Sequence, residues 1–187
     1  MKIAATFGAL TLGAVMFVPA SAATAAPAST EVTCSVSWGS LPKKAGVYPA
    51  QSPLTGTSVG RHHCYDRVVF SVLGPPAGYR VQYVTKVRTE GSGFPLPVSG
   101  GAKLQVTLLA PAYDENGHST YPYHTNAHVA NVAGFRTIRD VVFGGSFEGY
   151  TTFGVGVRAR LPFRVFTLPP TGSGVSTRIV LDVAHTW

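Results

Sequence analysis

Charge is scarce in this chain. Only 12% of its 187 residues are Asp, Glu, Lys or Arg, and the basic ones form no run along the sequence. Without an interleaved basic and aromatic stripe, a nucleic-acid-binding surface is a poor expectation. Glutamate is rarer still: Glu31, Glu90, Glu115 and Glu148 all sit among turn-forming residues. A zinc hydrolase needs a carboxylate base beside three ligands, and neither that grouping nor an HExxH motif is present. There is no GxSxG elbow to present a serine nucleophile. No stretch shows the 3.6-residue apolar period of an amphipathic helix. Only one apolar run is long, so no segment beyond it could cross a bilayer as a helix.

That run is at the N-terminus. Lys2 precedes apolar residues from about Ile3 to Val18, then Pro19 and a small-residue stretch. This is the pattern of a secretory signal peptide over residues 1–25, with Ala20-Ser21-Ala22 or Ala23-Thr24-Ala25 as the cleavage motif. An uncleaved anchor is the alternative. The run falls short of the ~20 residues a span requires. Residues 26–32 then read as a flexible N-terminus and 33–187 as one domain. Losing Lys2 lowers the 15 Lys and Arg to 14, against 8 Asp and Glu, so the exported chain is basic by about +6.

Cys34 and Cys64 are the two cysteines. In an exported chain they most simply form one disulfide, with free thiols or an intermolecular bond as alternatives.

What the sequence has in quantity is β-signal. "EVTCSVSWGS" (31–40) has the β-branched content of a first strand, and 41–60, rich in Pro, Gly and Ser, reads as a long surface connection. Val68, Phe70 and Val72 alternate with Val69, Ser71 and Leu73. Beyond "GPPAG" (74–78), Tyr79, Val81 and Tyr83 do the same with Arg80 and Gln82, which predicts a hairpin. Leu104, Val106 and Leu108 mark another strand. Residues 111–134 break every pattern and predict a long loop, with "DENG" as a turn and with Tyr121 and Tyr123 exposed. Strands return from Phe135. Phe153, Val155 and Val157 alternate with Gly154 and Gly156, a sign of close backbone packing. "YDRVVFSVLG" (65–74) and "STRIVLDVAH" (176–185) echo each other as two similar, neighbouring sheet strands would. Eight to nine short strands between Gly/Pro turns predict an all-β fold, a single antiparallel β-sandwich.

Several segments in order carry a family resemblance: "GRHHCYDRVVF", "GPPAGYRVQYV", "LQVTLLAPAYDENG", "FGGSFEGYTTFGVGV", "PFRVFTL" and "RIVLDVAH". Together, over about residues 36–185, they resemble the AMIN-like domain of exported proteins and lipoproteins from high-GC Gram-positive bacteria. The resemblance implies a distant link to the AMIN domain, a β-sandwich module of cell-wall amidases and secretins that localises proteins to the envelope. It implies an envelope-associated module and brings no catalytic residues. The lipobox cysteine of many relatives is missing here.

The candidate chemistry is that of binding. Among the histidines, His124 and His128 are spaced as on a helix but lie in no helical pattern. Adjacent His62 and His63 would point to opposite faces of a strand. No metal site, cofactor or catalytic residue is therefore expected. Asp66-Arg67 reads as an ion pair at a strand mouth, with Arg178 and Asp182 as cross-strand partners, and Glu148-Gly149 as a bulge or turn. A Cys34–Cys64 bond would bring Trp38 and Tyr65 beside Arg61 and His62, a setting where sugar rings stack on aromatic faces. Trp38 and Tyr65 could equally be core residues. Tyr121 and Tyr123 are the second candidate pair. The reading is a secreted, non-enzymatic module that binds peptidoglycan or another, acidic, wall glycan. The alternatives are a protein-interaction module using the 111–134 loop, or an envelope hydrolase.

Overall fold

The computed structural model describes residues 34–46, 49–171 and 175–187. The leader and the 26–32 segment expected from the sequence lie outside these residues. Among them are nine strands and no helix: β1 (Lys43–Ala45), β2 (Leu54–Arg61), β3 (Tyr65–Leu73), β4 (Gly78–Val84), β5 (Ala102–Leu109), β6 (Ile138–Phe147), β7 (Tyr150–Val157), β8 (Phe163–Leu168) and β9 (Ser176–Ala184). They form two antiparallel sheets, ordered β1-β4-β5-β7-β6 and β2-β3-β9-β8.

The sheets enclose one core, as alternating strands with one apolar face must. Val68, Phe70 and Val72 from the four-stranded sheet meet Val81, Val106 and Phe153 from the five-stranded one. Phe70 and Phe153 pack across the sandwich with ring centroids 4.8 Å apart. Each such buried phenylalanine stabilises the fold by about 2–3 kcal/mol relative to exposure.

The hairpin expected across 74–78 does not form. β3 and β4 belong to different sheets, and 74–77 carries the chain across the sandwich. Alternation cannot tell a strand that pairs with its predecessor from one that faces it across a core. Pro75 and Pro76 lack the N–H groups a tight hairpin ladder would need. Nor does "EVTCSVSWGS" make a strand in its described part, residues 34–40, and the supposed connection 41–60 contains β1 and all but the last residue of β2. The echo between 65–74 and 176–185 is real neighbourhood: β3 and β9 pair antiparallel along their whole lengths. Glu148 (φ 48°) and Gly149 (φ 83°) form the two-residue turn joining β6 to β7.

The glycines of β7 serve close packing. A segment after β4 folds back over the outer face of the five-stranded sheet, where Val87, Leu96, Val98 and Val142 make a second apolar cluster. A Cβ on Gly156 would stand 1.7 Å from the Ser99 carbonyl oxygen, and one on Gly154 2.3 Å from Val98.

Candidate binding site at the disulfide end

Cys34 and Cys64 are bonded, which ties the 34–42 segment to the start of β3. The backbone N–H of Phe163 donates to the Gly39 carbonyl and fixes the same segment along β8. Trp38 therefore stands over the outer face of the four-stranded sheet. Its ring meets Tyr65 edge-on at 5.7 Å, and His62 stacks on Tyr65 at 4.4 Å. Trp38 and Tyr65 are both half-buried and outside the sandwich core, and His62 is exposed. Arg61 is exposed but faces the other way, against Gly134, so it does not join this cluster.

Three residues in one cross-strand row underlie the aromatics. Asp182 on β9 pairs in register with Arg67 on β3 and with Arg164 on β8. Arg67 donates from Nε and Nη2 to the two Asp182 oxygens at 2.6 and 2.9 Å, and Arg164 donates from Nε at 2.8 Å. The carboxylate is fully buried beneath them, while the Arg67 and Arg164 side chains keep 21% and 40% exposure. The hydrogen bond it donates to Asp182 holds the Arg67 guanidinium above its ordinary value, against the opposing effect of burial. Two cations share one anion, so the row is net positive. Arg164 lies 4.4 Å from the Trp38 ring centre and 5.1 Å from that of Phe166, and Arg67 lies 5.3 Å from that of Tyr65. Two forks are thus held flat among aromatic faces by a buried carboxylate.

Arg67–Asp182 matches the cross-strand partnership expected from the sequence. Arg178 does not take part: it is opposite Ser71 and donates to the Pro169 carbonyl. Asp66 belongs to a separate, inward-facing cluster. It accepts from the Thr137 and Ile138 N–H groups at 2.6 and 3.0 Å and contacts His185 Nε2 at 3.1 Å. The other His185 nitrogen faces the His63 carbonyl oxygen at 3.1 Å. This buried set joins the ends of β3, β6 and β9.

The second candidate pair divides. Tyr121, expected at the surface, is 2% exposed and packs against Phe143 and Phe153 in the core. Burial pushes its hydroxyl up to about 12, although the bond to Thr57 Oγ1 at 2.9 Å pulls the other way. Only Tyr123 of that pair is exposed. The loop needed an anchor, and local polarity concealed which tyrosine supplied it. "DENG" is the expected turn: Asp114 accepts from the Asn116 and His118 N–H groups, which holds its carboxyl below the usual range. His63 lies within 4.8 Å of the Cys34 and Cys64 sulfurs. Bonded to each other, those sulfurs offer no thiolate to a metal.

Arg67, Arg164, Phe166 and Asp182 were not legible as one site, because they come from three strands. The available signal was one basic residue near the start of each of β3 and β8, the two strands that flank β9. The AMIN-like domain family model matches residues 52–185. The chain belongs to the AMIN-like domain family. No curated protein and no solved structure matches it. Membership associates this AMIN-like domain with cell-wall-related binding modules that are generally non-catalytic. The match covers Tyr65, Arg67, Arg164 and Asp182 but begins after Trp38 and Cys34.

Proposed function

We propose that this AMIN-like domain is an exported, non-enzymatic module that binds a cell-envelope glycan, peptidoglycan or an acidic wall glycan, at the disulfide end of its four-stranded sheet. The observation that carries the reading is the half-exposed Trp38–Arg164–Tyr65–His62 stack, held from below by buried Asp182. Flat rings and preorganised guanidinium edges suit a sugar with polar substituents, at little cost in side-chain ordering on binding. Export is supported by the leader-like residues 1–25 and by the disulfide.

The alternatives have less to stand on. A protein-binding loop at 111–134 would lose Tyr121, one of its two candidate contact tyrosines, to the core. For a hydrolase, His185 is hydrogen-bonded to an acid, but it is buried and its second nitrogen faces a carbonyl where a nucleophile would be needed.

The test is co-sedimentation of the disulfide-bonded protein with purified sacculi at physiological salt. Pelleting is expected, and Trp38→Ala should weaken it about tenfold, the loss of roughly 1.4 kcal/mol of stacking. Absence of pelleting, or pelleting unaffected by Trp38→Ala and His62→Ala, would overturn the proposal.

A further inference from the structure

The exposed acidic side chains keep to one end of the sandwich. Of the carboxylates on described residues, Asp66, Asp140 and Asp182 are buried. Glu90 is partly buried and accepts from the Thr152 hydroxyl on the outer face of the five-stranded sheet. Asp114 and Glu115 follow β5, and Glu148 sits in the β6–β7 turn, all at the end opposite the disulfide. Their concentration there leaves the disulfide end without an exposed Asp or Glu side chain among the described residues.

That end instead gathers arginines from three separate parts of the chain. Arg61 closes β2, Arg136 and Arg139 flank the start of β6, and Arg158 and Arg160 follow β7. All five are exposed, and none forms a salt bridge among the described residues. Backbone carbonyls hold four of them in place. Arg136 donates to His63 at 3.5 Å, Arg139 to Phe135 and Ile138 at 3.0 Å, Arg160 to Ser40 at 3.2 Å, and Arg158 to His185. Carbonyl oxygens satisfy the N–H groups but leave the charge uncompensated. Like charges gathered in this way repel one another, a cost that an anionic partner would remove. The rim also adjoins the candidate site: Arg160 bonds Ser40, two residues from Trp38, and its own carbonyl accepts from the exposed Trp187 indole.

We infer that this arginine rim continues the Trp38–Arg164 site into a track for a linear acidic envelope polymer, with a phosphate or carboxylate in each repeat. The inference rests on the wall-binding reading and narrows its ligand. Charge complementarity selects the occupant: an acidic group pairs with guanidinium edges, while neighbouring sugar or polyol units lie over Trp38 and His62. A neutral glycan would use the aromatic stack and leave the rim unpaired.

The experiment measures binding of the full disulfide-bonded protein to poly(glycerol phosphate), to polygalacturonate and to a neutral N-acetylglucosamine oligomer, at about 0.15 M salt. At least one polyanion should bind about tenfold more tightly than the neutral oligomer, and the one that does identifies the acidic group. Arg136→Glu with Arg160→Glu should abolish that preference, and the gentler Arg136→Gln with Arg160→Gln should reduce it, both with unchanged circular dichroism. Raising the salt should weaken wild-type polyanion binding independently of any variant. Equal affinity for neutral and acidic polymers would overturn the inference, as would tighter binding to phosphatidylglycerol vesicles than to either polymer. Sacculus pelleting that persists in the Arg136→Glu, Arg160→Glu protein would then show that wall binding survives without the rim.

Discussion

Asp182 stands directly across the sheet from both Arg67 and Arg164, and its buried carboxylate bonds both guanidiniums. Removing one partner of a buried pair costs more than the pair itself contributes, because a charge is left uncompensated. Here the arginines are partly solvated, which reduces the loss. Asp182→Asn should therefore lower stability by about 2–3 kcal/mol, read as a shift in the urea midpoint. It should also free Arg164 from beneath Trp38, visible as a change in tryptophan fluorescence.

Gly156→Ala tests the folded-back segment after β4. The added methyl would collide with the Ser99 carbonyl oxygen, a backbone atom with no rotamer to escape into. A loss of about 3 kcal/mol is expected. Hydrogen exchange should show the change first at the Ser99 N–H, which donates to Asp140 at 2.9 Å.

The Cys34–Cys64 bond closes a loop of sequence separation 30. The double Cys34→Ser, Cys64→Ser variant should lose about 3–4 kcal/mol, mainly through the entropy regained by the unfolded chain. Its β-sheet signal should persist at neutral pH, since the core is built elsewhere. Sacculus binding should fall, as in Trp38→Ala, because the bond is one of the two ties, with the Phe163–Gly39 hydrogen bond, that hold the Trp38 segment.

Alkaline pH should unfold the protein partly through its tyrosines. Tyr121 is raised from 10.0 to about 12 by burial, and burial likewise raises Tyr79 and Tyr83. The fold favours the neutral phenol, so its contribution is complete below pH 10 and is lost as pH rises toward about 12. Tyr121→Phe should cost about 1 kcal/mol at neutral pH through the lost bond to Thr57. Its stability should also decline less steeply over that window, as denaturation at stepped pH would show.

Much of the architecture was legible in the sequence by itself. Period-two alternation marked the principal strands, the glycines of β7 announced close packing, and "DENG" and Glu148-Gly149 announced turns. These features depend on residues two or three apart, so local order suffices to encode them. Which strands pair and which only face each other across the core was decided by the tertiary structure. Strands β3 and β4 show why: alternation of one apolar face satisfies both arrangements equally. Tyr121 and Tyr123 differ for a similar reason, since burial depends on what the rest of the chain brings above a residue. The Arg67–Asp182–Arg164 row and the arginine rim are also tertiary. Their charges lie far apart along the chain, and only the folded sheet concentrates them within the short range over which screened charges act together.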